Sequence, residues 1–487
     1  MNKFKITCLG LSMLLVASSL CGCSEKENSD QLLDPKNPVT VTVWHYYNGV
    51  QQTTFDEMVN NFNDTVGHEK GVVVEAYSKS SINELADSVI ASVNKEAGAE
   101  TPPSIFAAYA ETTYKLDKMG TIADLNQYIT DKEKDEYIKE YINEGIFSDG
   151  SMKIFPTAKS TEVMMINKTD WDKFSAAENV SESDLSTMEG IAETAEKYYE
   201  YTDALTPDIP NDGKAFFGRD SVANYMYIGA KQLGCEYFEI DKDGNASITI
   251  KKDVLKKLWE NYYVPYVKGY YTAQSRYRSD DAKIGSLIAL ICSTSGAAYF
   301  PSEVTIDNDY TYPIENKVLE VPCFADSEKY FVQQGAGMSV IKSDKKTEYA
   351  SMLFLKWFTE EERNIKFSIS SGYLPVKKSA NNYNKVSEVN EKLEAPMDDT
   401  MLNTIKTAIG EIDSKSLYTS TPFDKSTEAR DYIGNTMQNT AADDYAAAWE
   451  RISAGEDRDS VLNEYVSDEA FDKWYESFIG GLEKTIS

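Results

Sequence analysis

The chain has 487 residues, with 49 basic against 79 acidic side chains and a formal charge of −30. That balance excludes nucleic acid as a partner, because neutralising phosphate needs a basic surface, and it excludes docking of the body on anionic lipid. The length exceeds what one hydrophobic core needs, so two or three domains are expected.

At the amino terminus Lys3 and Lys5 precede an apolar or small-residue run from Ile6 to Leu20. The run is too short for a spanning helix and has the charge order of a secretory signal. It ends in Leu20-Cys21-Gly22-Cys23, which resembles the bacterial lipobox. On this resemblance residues 1–22 are a signal peptide and Cys23 carries a diacylglycerol thioether. Residues 23–38 are polar, with Leu32 and Leu33 as their aliphatic side chains, and read as a flexible tether. Beyond Cys23 remain Cys235, Cys292 and Cys323; these form no disulfide framework, and at least one is a free thiol.

Val39 to Trp44 alternates β-branched residues and predicts a strand. Phe55, Met58, Val59 and Phe62 recur at helical spacing, so residues 51–63 are a helix. Val72 to Ala76 predicts a buried strand, Ile82 to Glu96 a helix, Ser104 to Ala108 a strand and Thr112 to Met119 a helix. Strand and helix alternate as in an α/β domain. Ile154 to Asn167 is strand-like, and residues 171–284 form a second, mostly helical region with a turn at Asp241 to Asn245. Strands follow at Leu287 to Cys292 and Gly335 to Ile341, then helices at Thr347 to Phe358 and Glu362 to Ser370. Gly372 and Pro375 stop the last of these, and residues 428–485 are helical.

Catalytic motifs are missing. Only His45 and His68 could serve a triad, and neither a Gly-x-Ser-x-Gly elbow nor a phosphate-binding Walker loop is present. In the run from Asp241, glycine stands fourth and Lys252 twelfth, so it reads as a turn and not a calcium loop. No catalytic residue, metal site or cofactor is assigned.

An ordered set of segments identifies a family. It comprises Val41 to Tyr47, Phe62-Asn63, Pro103 to Ala107, Phe155-Pro156, Met165 to Lys168, Gly335-Ala336-Gly337, Phe354 to Trp357 and Ser371 to Val376. In order and spacing, behind a lipobox, they resemble the bacterial extracellular solute-binding proteins of the maltose-binding type, the capture subunits of ABC sugar importers. The resemblance implies an α/β, two-lobed periplasmic-binding-protein-like fold of type II, with a ligand cleft between the lobes and several hinge crossovers. The crossings are expected near residues 156–161, 284–286 and 333–337. Lobe 1 is then 39–158 with 286–333, and lobe 2 is 159–285 with 334–487.

The resemblance also implies a monomer that captures a small solute, a sugar or oligosaccharide, and delivers it to membrane permease subunits, held to the extracytoplasmic face by its lipid. Binding residues belong on loops after strand ends, where rings face the C–H surface of a sugar and amides or hydroxyls bond its hydroxyls. The candidates are Tyr46, Tyr47, Asn48, Ser78, Ser80, Tyr109, Glu111, Lys159, Ser160, Asp220, Asn224, Ser295 and Tyr373, with Trp44 assigned to the core. Two alternatives remain open on sequence: capture of a peptide or polyamine, and a lipoprotein glycosidase working through paired carboxylates.

Overall fold

The computed structural model describes residues 32–241, 244–306 and 310–487. The signal, Cys23, the tether to residue 31, and Lys242 and Asp243 of the expected turn lie outside the described residues.

Lobe 1 is built on a four-stranded sheet. Val39–His45 runs parallel to both Val72–Ser78 and Ile105–Ala108, and Gly337–Val340 adds antiparallel to Ile105–Ala108. Val41, Val43, Val72, Val74, Ile105 and Phe106 are buried, which is why these β-branched runs sit in the sheet. The helix Gly49–Phe62 covers it through Phe55, Met58, Val59 and Phe62. Phe55 makes edge contacts with Phe354, Phe358 and Phe367 from the helices Lys345–Phe358 and Glu361–Ser371. Burying each such ring contributes about 1.5–3 kcal/mol. At the open edge of the sheet, Asn63 Nδ2 donates to the Val74 carbonyl at 2.9 Å and its Oδ1 accepts the Val74 N–H at 2.8 Å, so the side chain stands in for a missing strand.

Lobe 2 carries a second four-stranded sheet. Glu162–Asn167 lies antiparallel between Asn316–Leu319 and Ala289–Ser293, and Phe217–Arg219 runs parallel to Ala289–Ser293. The helices Val222–Gln232, Lys252–Val267 and Ser426–Ser453 pack together beside it, closed by Asp468–Ile486. Trp44 is 3 % exposed, as its core assignment requires. Cys235, Cys292 and Cys323 are all free and buried.

Two expected boundaries are corrected. Residues 286–333 do not return to lobe 1, because the strands 289–293 and 316–319 pair within the second sheet. Residues 337–371 are not in lobe 2, because the strand 337–340 pairs with 105–108 and its following helices pack on Phe55 and Phe62. Nor is there a crossing at 284–286: Gly285, at φ +71°, turns the chain inside lobe 2, donating to the Ala282 carbonyl. The third crossing is at 372–376. There Leu374 exchanges backbone hydrogen bonds with Lys159, and Ser160 exchanges them with Gln334. All three crossings therefore lie side by side. Buried Asn364 ties two of them, donating to the Thr157 carbonyl at 2.6 Å and accepting from the Val376 N–H at 2.8 Å. Gly335 has φ +91°, and a Cβ there would stand 3.0 Å from the Ala158 oxygen, so the second crossing needs a glycine.

Candidate functional site

Beside the crossings a cleft of about 270 Å3 opens between the lobes. Lobe 1 contributes Asn83, Tyr109 and Glu111, and the second crossing contributes Gln333 and Gln334. Lobe 2 contributes Asn224, Tyr227, Tyr418 and Arg430. The fold dictates the placement. Tyr109 follows the third strand of lobe 1 and precedes the helix Ala110–Lys118, whose first turn holds Glu111 at the favourable positive end of the helix dipole. In lobe 2, Ser221 Oγ caps the helix Val222–Gln232 by accepting the Asn224 N–H at 3.2 Å, which fixes Asn224 one turn in.

Asn224 is fully buried and its amide is used at both ends. Nδ2 donates to Glu162 Oε1 at 2.7 Å, and Oδ1 accepts from Arg430 Nη2. Glu162 in turn pairs with Arg219 at 3.1 Å, both buried. This chain of charge-assisted bonds holds Arg430 at the cleft wall. Across from it, partial burial raises the Glu111 carboxyl above its ordinary range; Arg430 opposes that shift and the neighbouring Glu144 charge adds to it. Glu144 is held by Lys159, which is wholly buried, and by Gln333 Nε2 at 2.7 Å. Lys159 also donates to the Gly335 carbonyl at 2.7 Å. The Gln334 Oε1 atom is buried with no partner. A buried acceptor left unpaired costs about 1–3 kcal/mol, so it is suited to receive a donor from a bound solute.

Tyr46 and Tyr373 cluster near Tyr109. The hydroxyls of Tyr46 and Tyr373 lie 3.3 Å apart. Burial raises the Tyr46 hydroxyl well above its usual value, with Tyr373 and Tyr109 adding to the shift. Tyr109 keeps 41 % exposure, which leaves a ring face open.

Of the candidates from sequence, Tyr109, Glu111 and Asn224 line the cleft, and Tyr46 and Tyr373 lie near Tyr109 without lining it. The others are placed elsewhere. Tyr47 is 3 % exposed and packs against His45, Phe55 and Phe367. Asn48 is an exposed residue before the first helix, and Ser78 donates to the Tyr47 carbonyl at 2.8 Å. Ser80 is exposed. Lys159 and Ser160 are consumed by the crossings. Asp220 accepts the Arg278 N–H at 2.8 Å, and Ser295 shares a hydroxyl contact with Ser293 at 3.0 Å. Sequence reasoning missed Gln333, Gln334, Tyr418 and Arg430. Two adjacent glutamines before a crossing glycine were a usable signal, whereas Arg430 on the long helix Ser426–Ser453, whose polar and apolar residues hardly segregate, gave none.

A family model for bacterial extracellular solute-binding proteins matches residues 57–395. No curated protein matches the sequence. Among solved structures, the chain is similar to the cyclic α-maltosyl-1,6-maltose binding protein of Arthrobacter globiformis, at 17 % identity over 91 % of this chain and 100 % of that one, with a TM-score of 0.64. It is similar to a substrate-binding protein of Listeria monocytogenes in complex with cycloalternan, at 15 % identity over 91 % and 99 %, with a TM-score of 0.62. The glycerophosphocholine-bound UgpB of Mycobacterium tuberculosis gives 15 % identity over 92 % and 99 %, with a TM-score of 0.63. Such identities show the fold alone, but the family match spans most of the chain. With two lobes, side-by-side crossings and a cleft beside them, the chain belongs to the bacterial extracellular solute-binding proteins, which act outside the cytoplasm.

Proposed function

We propose that the protein captures an oligosaccharide and delivers it to the permease of an ABC importer, as a monomer held to the membrane through lipid on Cys23. One observation carries the sugar reading. The cleft sets the exposed ring of Tyr109, with Tyr227 and Tyr418 also in its lining, among the amide and charged groups of Asn83, Gln334, Glu111 and Arg430. Flat apolar rings flanked by convergent hydrogen-bonding groups match the alternating C–H faces and hydroxyl rims of a sugar. Neighbouring structures whose ligands are maltotriose, cycloalternan and mannobiose support the reading.

Glu111, Glu144 and Asp431 are the carboxylates in the lining of the cleft. Glu144, however, is engaged by Lys159 and Gln333, which leaves it poorly placed as a nucleophile or base. We propose binding without turnover, which the match to a family of binding proteins supports.

Titration calorimetry with malto-, manno- and cyclic gluco-oligosaccharides is the test. Binding of at least one is expected, weakened about tenfold to hundredfold by Tyr109→Ala. A heat signal only with peptides, polyamines or phosphodiesters would remove the sugar reading, and release of product from a chromogenic glycoside would restore the glycosidase. For the anchor, Cys23→Ala should move the protein out of the membrane fraction; a variant that still sediments with washed membranes refutes it.

A further inference from the structure

The cleft described above, at about 270 Å3, is at the lower end for a ligand site, where pockets run to about 300–1,000 Å3. It adjoins a larger chamber of about 630 Å3. The two share Glu144, Gln333 and the run Tyr418-Thr419-Ser420 as common lining. The helix Ala110–Lys118 serves both. Glu111 and Thr112 face the first, whereas Tyr114 and Asp117 face the second.

The second chamber has the same kinds of wall as the first. Tyr114 and Phe147 set their rings 6.1 Å apart, and Ile146, an exposed isoleucine, stands beside them. From lobe 2 come Ile240, Leu417 and Pro422, with the hydroxyls of Thr419, Ser420 and Thr421 between. Its lining contains Asp117, Glu140 and Asp149 but no lysine or arginine among the described residues. Asp117 is paired with Lys153 and Glu144 with Lys159, while the carboxylates of Glu140 and Asp149 add negative charge to the wall, which disfavours an anionic ligand.

We propose that the second chamber is an extension subsite, and that the solute is an uncharged oligosaccharide long enough to run from the first cleft past Glu144 and Tyr418 into it. This rests on the sugar reading above. Rings of the chain beyond those held at Tyr109 and Arg430 stack on Tyr114 and Phe147, and their hydroxyls meet Thr419 to Thr421. A mono- or disaccharide fills the first cleft and leaves the second to water.

Two substitutions reach the second chamber without touching the first. Phe147→Ala removes a half-buried ring, and Thr421→Trp at an exposed position fills the space. The experiment is calorimetry of the purified protein and both variants with malto- and manno-oligosaccharides of two and six units. In the series that binds, affinity should rise about tenfold or more from the shorter to the longer sugar. Each variant should lose about tenfold for the six-unit sugar and stay within about twofold for the two-unit one. An oligogalacturonate of six units should not bind. Equal affinity at both lengths, variants that weaken both lengths alike, or tight uronate binding would each overturn the extension subsite while leaving sugar capture standing. If no oligosaccharide of either length binds, the sugar reading falls and the subsite with it.

Discussion

His45 shows how burial decides a single residue's chemistry. It lies at the end of the first strand, 1 % exposed, with Nδ1 accepting the Tyr47 N–H at 3.2 Å and its ring stacked on Tyr47. Desolvation lowers its pKa to about 4. In the unfolded chain it would titrate near 6.5. The folded state therefore binds fewer protons between those values, so this residue's contribution of about 3 kcal/mol is present above pH 6.5 and is lost as pH falls towards 4. The chain has two histidines, so the imidazole signals can be assigned with His45→Gln. Its carbon-bound proton resonance should stay fixed between pH 7 and 5.5 in an NMR titration; movement with a midpoint near 6.5 would show the ring is solvated. The sequence placed His45 next to a strand end but could not tell a buried ring from a cleft ring. Tyr47 was misplaced for the same reason: alternation predicts which side a strand residue faces only while the strand lasts, and both residues sit where it ends.

At the scale of elements, alternation and helical spacing made most strands and helices legible. Partner choice was not, because nothing in Gly337–Val340 records that it joins the strand 105–108 and not the sheet just left. The local pattern at 284–286 looked like a crossing, yet Gly285 merely turns the chain between a short helix and a strand of the same lobe. The strands Glu303–Ile306 and Tyr310–Pro313 carried too little contrast to be expected, whereas the helix Asp399–Ser414 was legible in Met401, Ile405, Ala408 and Ile409 at helical spacing and was overlooked. Gly335, by contrast, was visible in the sequence and has a physical role. Gly335→Ala forces a Cβ into left-handed backbone at 3.0 Å from the Ala158 oxygen. We expect a cost of about 1–3 kcal/mol and a melting temperature lower by several degrees in calorimetric scans. An unchanged melting temperature would mean the crossing relaxes freely.

At the scale of the molecule, two ion pairs among the described residues join the lobes outside the cleft, Lys118 with Asp424 at 2.7 Å and Lys115 with Glu428 at 3.7 Å. Both are largely exposed, and such pairs contribute about 0–1 kcal/mol each. Driving a two-state equilibrium from mostly open to mostly closed takes about 5.5 kcal/mol, so the pairs cannot lock the lobes and the captured solute must supply the difference. We expect the two lobes to close on that solute about the three adjoining crossings. Small-angle X-ray scattering tests it most directly, on the protein alone and with an oligosaccharide whose binding calorimetry has established. The radius of gyration should be smaller with the sugar bound; an identical scattering profile at saturation would rule out lobe closure.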